Sequence, residues 1–571
     1  MILKRHKWMT VGLLWLAPLV FLLLFYFYPL GSILKVSLER SQQGLLSPIL
    51  EAIKSPITGH VVGFTLWQAA LSTVLTLALG LPGAYLFAHY NFRGKSLLQA
   101  LTGIPFLMPT LVVAAAFNAL VGPSGWVNIG LMRILHLASP PIQFTNTLVA
   151  ILVAHVFYNT TIVLRMVGDF WSHLDPRLGQ AAQMLGASRW QAIRWVIIPV
   201  LMPAIAAAAM LVFIFDFTSF GVILILGGPH FATLEVEIYY QTISLFNLPM
   251  AAVLSILQLL CTLGLTLIYA RLSRRLTMPL SLKSRRVTQR RLTSPRARIT
   301  AGILIAILIT LLILPLTALA IRSVSRFEPS SGQTTITSPG FTLDYYRELS
   351  INRRESIFYA PPSTAIGISL GYALATTLLA LALGFPAALA LSREVDSPVS
   401  RGLDALLMLP LGTSAVTLGL GFIVALDKPP LDLRASWLLV PLAHTLVAFP
   451  FVVRNLTPAL RSIRPRLRQA AALLGASPGA VLRTIDIPMI GRATLVAATF
   501  AFTISLGEFG ATSLIARPEY PTVPIAIYRL ISRPGELNYG QALALSTILM
   551  LIAGAGMLLI DRMRLGEAGE F

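Results

Sequence analysis

The sequence predicts an all-α polytopic membrane protein with about 12 transmembrane helices in two parallel six-helix repeats. Three observations lead to this prediction: an apolar composition, a series of long apolar segments, and a segment that occurs twice. Of the 571 residues, 56% are hydrophobic and 12% are charged. Soluble domains carry about 25% charged residues. This chain therefore has too little polar surface to cover a globule in water.

Each apolar segment is long enough to cross a bilayer, which takes about 20 mostly apolar residues. The first set lies near residues 10–30, 62–88, 100–120, 146–168, 200–226 and 250–270. The second set lies near residues 300–321, 364–391, 402–425, 437–457, 490–516 and 542–561. No small-x-small cleavage site follows the first segment, so we expect an uncleaved helix rather than a signal peptide.

The positions of the basic residues predict the orientation, because Lys and Arg are enriched in cytoplasmic loops. The net charge is +21, but the charges lie between apolar segments, which indicates topology and not nucleic-acid binding. Lys4, Arg5 and Lys7 mark the N-terminus, and the linker at 271–299 carries ten basic residues and no acid. An even number of spans separates the two, so both termini and the linker are predicted to be cytoplasmic.

An internal repeat divides the chain into two halves. His173 begins HLDPRLGQAAQMLGASRWQAIRWVIIP and Ser462 begins SIRPRLRQAAALLGASPGAVLRTIDIP. They align without a gap at an offset of 289 residues, the separation of Pro199 and Pro488. We therefore predict a first half at 1–270, the basic linker at 271–299 and a second half at 300–571. Six spans per half give both halves the same orientation, with a pseudo-twofold axis along the membrane normal.

The repeated segments, 173–199 and 462–488, are predicted to lie on the cytoplasmic side. In the first, Asp175 can cap a helix that begins at Pro176 and runs to about Leu185. Gly186 fits a left-handed C-terminal position. Ser188 can cap a second short helix, which we expect Pro199 to end. Such a short helix can bind in a partner's groove, or it can lie on the bilayer as an interfacial helix; two copies favour a pair of partners.

This pattern resembles the cytoplasmic loop of type I ABC importer permeases, whose consensus is Glu-Ala-Ala, three residues, Gly, nine residues, Ile, one residue, Leu-Pro. The matching residues are Gln180, Ala181, Ala182, Gly186 and Pro199 in one copy and Gln469, Ala470, Ala471, Gly475 and Pro488 in the other. The resemblance implies that each loop contains a coupling helix for an ATPase subunit. Gln in place of Glu at 180 and 469 leaves a neutral hydrogen bond where the family has a charge.

The resemblance also implies the partners. The sequence contains no G-x-x-x-x-G-K-[S/T] phosphate loop, no nucleophile elbow and no metal-ligand spacing. The chain is therefore not expected to be an enzyme or to bind a cofactor or metal. ATP and Mg would lie on two separate ABC ATPase subunits at the cytoplasmic side, and an external solute-binding protein would deliver the substrate. Membrane lipid is the remaining expected partner.

Ionisable groups inside predicted spans are candidates for the substrate pathway, because burying them in a bilayer is costly. The repeat frame aligns Asp216 with Ser505 and Ser219 with Glu508, which places the two acids three positions apart on one helical face. They could form a transient site or gate for a cation, they could hold helices together, or an acid could face water near the outer mouth. Three more polar candidates lie in the fourth and tenth spans, where hydrogen bonding between helices is the favoured role: His155, Asn159 and His444.

The sequence thus predicts a permease subunit in the inner membrane that moves a small solute by alternating access. Fused halves are typical of the thiamine and ferric-iron branches of these importers, and the stretches from Leu224 and Ser505 look most like the thiamine permease. Thiamine or a thiamine phosphate is the preferred substrate. The alternatives are ferric iron, a polyamine, and a proton-coupled secondary transporter in which Asp216 and Glu508 carry protons.

Overall fold

The computed structural model describes residues 12, 14–39, 54–274, 289–326, 340–351, 361–393, 397–427 and 431–565. Lys4, Arg5 and Lys7 lie outside the described residues, as do positions 275–288 of the basic linker and the last six residues. The predicted cytoplasmic location of both termini therefore stays a prediction.

The described residues fold almost entirely into helices, which confirms the predicted fold class. Within the described ranges, ten helices are long and apolar enough to span a membrane: Leu14–Leu38, Pro56–His89, Thr110–Leu135, Leu148–Ser172, Arg189–Phe217, Leu248–Leu272, Pro295–Arg322, Pro362–Arg393, Leu439–Ser462 and Glu536–Ile560. Two bent helix pairs also qualify if each is one span: Pro398–Gly412 with Ala415–Ala425, and Pro478–Met489 with Gly491–Gly507. Each of these twelve segments overlaps one predicted span, and we number them in chain order.

The third span differs from the prediction near 100–120. The helix Lys95–Leu107 ends at Met108, whose backbone is extended, and Thr110–Val121 begins after Pro109. A residue before proline is pushed out of the helical region, so the helix ends at this point. The apolar stretch that qualifies as a span is Thr110–Leu135. It continues into the helix Trp126–Leu135.

Shorter elements connect the spans. The helices are Arg177–Met184, Gly221–Leu226, Pro229–Phe231, Leu234–Tyr239, Asp344–Glu348, Pro465–Leu473, Gly510–Ile515 and Val523–Ile531. Five-residue π-helical turns occur at Leu23–Phe27, Ile193–Ile197, Tyr240–Ser244 and Leu482–Asp486. The strands Tyr90–Asn91 and Arg290–Arg291 pair in parallel.

The chain forms two compact units, which differ from the two sequence halves. One comprises the described residues of Met1–Glu51, Ile238–Leu259 and Thr342–Phe571, and the other those of Ala52–Glu237 and Leu260–Phe341. The first span thus packs with spans of the second half, where Tyr26 Oη lies 2.7 Å from Thr413 Oγ1. The seventh span packs with spans of the first half, and Arg322 donates to Ser124 O at 2.7 Å.

The core of each half has the same construction. Glycine in the second and eighth spans lets the fourth and tenth spans approach closely: a Cβ at Gly80 would lie 2.6 Å from Val163, and one at Gly384 would lie 2.6 Å from Val452. Val163 and Val452 are one repeat apart and fully buried. Since any larger side chain would force the helices apart, these glycines set the distance between the helices that carry the candidate site.

Candidate functional site

The first coupling segment, 173–199, folds largely as predicted. Asp175 Oδ1 accepts a hydrogen bond from the Arg177 backbone N–H at 3.0 Å, and the helix runs from Arg177 to Met184. Ser188 forms a capping box with Gln191, each side chain accepting from the other residue's backbone N–H. Both caps satisfy N–H groups that a short helix leaves open.

The turn after the coupling helix depends on glycine in both copies. Gly186 has φ +91° and Gly475 has φ +84°. No atom lies within 4 Å of where a Cβ would stand at either position, so the glycine is required for its left-handed backbone and not for space. The bonds that close the turns are equivalent: Ala187 N–H to Ala182 O at 3.1 Å, and Ala476 N–H to Ala471 O at 3.0 Å.

The two coupling segments also expose equivalent residues. Gln180, Ala181, Gly186 and Pro199 are exposed and Ala182 is half-buried, and Gln469, Ala470, Gly475, Pro488 and Ala471 repeat this pattern. Apolar side chains form the tips. Met184 and Leu185 are 88% and 90% exposed, and Leu473 and Leu474 are each 89% exposed. Each loop thus presents an apolar tip beside small residues on its coupling helix.

The expectation that Pro199 ends a second short helix was wrong. The chain passes from the Ser188 cap through the π-helical turn Ile193–Ile197 into the fifth span without a break, as one helix Arg189–Phe217. A π-helical turn widens the helix just before proline, which lacks an N–H and crowds the preceding carbonyl. In the second copy the same turn, Leu482–Asp486, precedes Pro488, but the helix bends by 69° between Met489 and Gly491.

The polar pathway candidates of the first half meet in one buried group, which we call the first histidine cluster: Ser72, His155, Asn159, Asp216 and Ser219. The His155 ring lies between two hydroxyls, with Nδ1 3.0 Å from Ser72 Oγ and Nε2 2.8 Å from Ser219 Oγ. Nδ1 is also 3.4 Å from Asp216 Oδ1, and Asn159 donates to that oxygen at 2.6 Å. Asp216 Oδ2 is buried and has no hydrogen-bond partner in the described part of the chain.

The second histidine cluster consists of Thr376, His444, Ser505, Glu508 and Thr512. His444 Nδ1 lies 2.7 Å from Ser505 Oγ, while Nε2 lies 2.7 Å from Thr512 Oγ1 and 3.2 Å from Glu508 Oε2. Both oxygens of Glu508 are engaged. Oε1 accepts from the Ala511 N–H at 2.8 Å and Oε2 accepts from the Thr512 N–H at 3.0 Å. Glu508 therefore caps the helix Gly510–Ile515.

In both clusters the histidine contacts the residues at the same two positions of the repeat. The position that holds the acid in the first half holds the serine in the second half, and the reverse is true of the other position. In the first half the acid lies at the Nδ1 side, and in the second half it lies at the Nε2 side. The expected single helical face does not exist. The helices end at Phe217 and Gly507, so Ser219 and Glu508 lie beyond them.

Sequence reasoning missed several members of these groups. Gln68 donates through Nε2 to Asp216 O at 2.8 Å, and its buried Oε1 has no hydrogen-bond partner within the described ranges. Ser72 and Thr376 correspond in the frame that aligns Gly80 with Gly384, so polar residues at matching places in apolar spans could have revealed them. Among the described residues, no group of three or more His, Cys, Asp or Glu side chains could hold a metal.

A further matched contact occurs in both halves. Thr65 Oγ1 accepts from the Leu234 N–H at 3.0 Å, and Ser369 Oγ accepts from the Val523 N–H at 2.8 Å. All four residues are buried. The repeat therefore preserves individual hydrogen bonds between elements as well as the order of the spans.

Residues 80–278 match the family described as the binding-protein-dependent transport system inner membrane component. A probable ABC transporter permease of Sinorhizobium fredii is 25% identical over 99% of this chain and 97% of its own length. The thiamine transport system permease protein of Brucella suis is 29% identical over 88% of this chain and 87% of its own length. Its Escherichia coli counterpart is 27% identical over 86% and 87%.

A solved bacterial ABC transporter, involved in the import of the acidic polysaccharide alginate, aligns with 48% of this chain and 98% of its own at 19% identity and a TM-score of 0.39. The relatives extend over most of the chain, beyond the matched domain, and so cover both sets of spans. The matched domain, the permease relatives and the helical architecture fit a fused two-half permease of the type I ABC importer class, a multi-pass protein of the inner membrane.

Proposed function

We propose that this chain is the translocation subunit of a binding-protein-dependent importer for a small organic cation, with thiamine or a thiamine phosphate as the preferred substrate. Relatives named thiamine transport system permease protein match 86–88% of the chain. The observation that carries the coupling part of the proposal is the pair of exposed loops with equivalent turns and apolar tips at Leu185 and Leu474.

Two separate ATPase subunits would bind these loops from the cytoplasm. Exposed apolar side chains such as Met184 and Leu473 are costly to leave in water, and a groove on a partner would cover them. The small residues Ala181 and Ala470 would let the groove come close to the helix backbone. Gln180 and Gln469 would contribute neutral hydrogen bonds. ATP and Mg would be held by those subunits. This chain would change conformation in response and would not catalyse a reaction.

Transport would follow from alternating access. ATP binding would bring the ATPases together and move both coupling loops. Each compact unit would respond as a packed body, because its spans are fixed by close contacts such as Gly80 with Val163. An external solute-binding protein would release the substrate into the outward-facing state. A substrate that binds both states equally would drive nothing, so the difference between states must come from the nucleotide.

The two histidine clusters are the proposed polar part of the pathway. All seven candidates, His155, Asn159, Asp216, Ser219, His444, Ser505 and Glu508, belong to them. A passing cation would be attracted to Asp216 first, because Oδ2 has no partner among the described residues. Glu508 would attract the cation less, since both of its oxygens already accept hydrogen bonds.

One observation favours a second candidate function, that of a proton-coupled secondary transporter. Each cluster places a histidine beside a carboxylate, at 3.4 Å for His155 and Asp216 and at 3.2 Å for His444 and Glu508. Such pairs serve as proton relays in secondary transporters. In that case the proton gradient, and not ATP, would drive uptake.

Uptake of radiolabelled thiamine by cells that express or lack the chain separates these candidates. We expect a protonophore to leave uptake intact while ATP is maintained, and ATP depletion to stop it. The opposite result would establish the secondary transporter. Competition with unlabelled thiamine, ferric iron or a polyamine identifies the substrate class, and thiamine should compete at the lowest concentration.

A further inference from the structure

The two coupling loops are connected to their spans in different ways. In the first half, the segment after the turn is continuous with the fifth span as the helix Arg189–Phe217. In the second half, the corresponding segment Pro478–Met489 is separated from the eleventh span by a 69° bend. A continuous helix fixes the position of the first loop, but the bend leaves the second loop without that constraint.

The second loop contains an ion pair whose carboxylate is buried and whose guanidinium is partly exposed. Arg468, in the helix Pro465–Leu473, donates through Nε to Asp486 Oδ1 at 2.7 Å. It also donates through Nη2 to Leu460 O, near the end of the tenth span, at 3.2 Å. The Asp486 side chain is 2% exposed. One guanidinium thus ties the coupling helix, the segment before the bend and the tenth span together.

The first loop has an apolar contact at the same place. In the repeat frame Gly179 corresponds to Arg468 and Ile197 corresponds to Asp486. Ile197 Cδ1 packs against Gly179, since a Cβ built there would lie 3.3 Å from it. The same two positions therefore hold a charged pair in one loop and an apolar pair in the other.

We propose that Arg468 is a positioning residue that holds the second coupling loop in place of the continuous helix that holds the first. Removing Arg468 leaves the buried Asp486 carboxylate without its hydrogen-bonded partner, and removing Asp486 takes the charged acceptor from a partly exposed guanidinium. Either change is more costly than replacing both residues with apolar ones. The orientation of the second loop, and with it force transmission through that loop, depends on this pair. The functional part of this inference rests on the proposed binding of an ATPase at the loop.

Hydrogen exchange of the purified full chain in lipid nanodiscs tests the proposal without any partner. We expect Arg468→Met and Asp486→Leu each to speed amide exchange in 465–474 by about tenfold. The double variant Arg468→Met/Asp486→Leu gives the second loop an apolar pair like that of the first loop. Its exchange rate should be within about threefold of that of the unchanged protein. Arg466→Met removes a charge from an exposed position of the same helix, and exchange should stay unchanged.

Exchange in the tenth span provides the folding control, and Arg468→Lys, which keeps the charge but loses the fork geometry, should give an intermediate rate. Single variants that exchange like the unchanged protein, or a double variant as fast as the singles, would overturn the proposal. Thiamine uptake per ATP hydrolysed, measured with the copurified ATPase, should fall in the singles and recover in the double. Altered exchange without that fall supports the positioning role and contradicts ATPase binding at this loop.

Discussion

The first and second histidine clusters occupy equivalent places in the repeat but differ in how their carboxylates are satisfied. His155 and His444 each bridge two positions, and the acid stands at opposite sides of the ring in the two halves. Glu508 caps a helix with both oxygens, whereas Asp216 Oδ2 has no partner in the described chain. We therefore expect Glu508 to act mainly in stability and Asp216 to be the acid that contributes to transport.

The glycine turns of the coupling loops have the same structure in the two halves. Substitutions that disturb these turns should have the largest effect on uptake. Gly186→Pro and Gly475→Pro replace φ values of +91° and +84° with the proline value of about −65°. We expect each variant to insert normally and to lose thiamine uptake by more than about tenfold, because the coupling helix loses its orientation.

Asparagine is the matched control for both turns, because it adopts the left-handed conformation more readily than other residues. Gly186→Asn and Gly475→Asn should keep most of the uptake in the same vesicle assay. Full uptake by either proline variant would show that the turns do not transmit movement.

The two carboxylates should differ in their contribution to stability. Glu508→Ala leaves the Ala511 and Thr512 N–H groups without an acceptor and removes the carboxylate beside His444, so we expect a loss of about 3 kcal/mol in the free energy of unfolding. Asp216→Ala removes mainly the Asn159 hydrogen bond and should cost about 1 kcal/mol. SDS titration of the purified variants measures both values. Equal losses would erase the distinction between the clusters.

Much of the loop geometry could be predicted from the sequence because it is local. The left-handed glycine at 186 and the cap at Ser188 depend on residues a few positions apart, and both were confirmed. The predicted spans also follow from local composition. The loop at 173–199 differed only where a π-helical turn carried the chain past Pro199.

Contacts between distant residues could not be predicted in this way. Gly507, Glu508 and Phe509 continue an apolar run in the sequence, and nothing in that run marks the helix end that turns Glu508 into a cap. The Arg468–Asp486 pair joins residues 18 positions apart through a turn. The packing of the first span with the second half, as at Tyr26 and Thr413, depends on tertiary structure alone.

A matched pair of hydroxyls tests whether the halves are built equivalently. Thr65→Val and Ser369→Ala each leave a buried backbone N–H unpaired, that of Leu234 or Val523. We expect each to cost about 1–2 kcal/mol and the two losses to agree within about 0.5 kcal/mol. The SDS titration used for the carboxylates provides the measurement. Losses that differ by more than about 1 kcal/mol would contradict structural equivalence.

The smallest effect on stability is expected for Asp216→Asn. Asparagine keeps the oxygen that accepts from Asn159 and places its amide where Oδ2 has no partner in the described chain. We expect a change below about 1 kcal/mol and a thiamine uptake reduced by about threefold to tenfold through loss of the charge. Glu508→Gln should show the reverse, with lower stability and near-normal uptake per folded molecule. Normal uptake by Asp216→Asn would remove this residue from the pathway.

The binding of an ATPase to both exposed loops is tested most directly by cross-linking. Replacing Cys261, the single cysteine, with serine gives a background in which Leu185→Cys and Leu474→Cys place one thiol at each tip. In native membranes each thiol should cross-link to an ATP-hydrolysing subunit, with a yield that changes when ATP is added. Thiols that react only with lipid-soluble reagents and capture no ATPase would contradict the account.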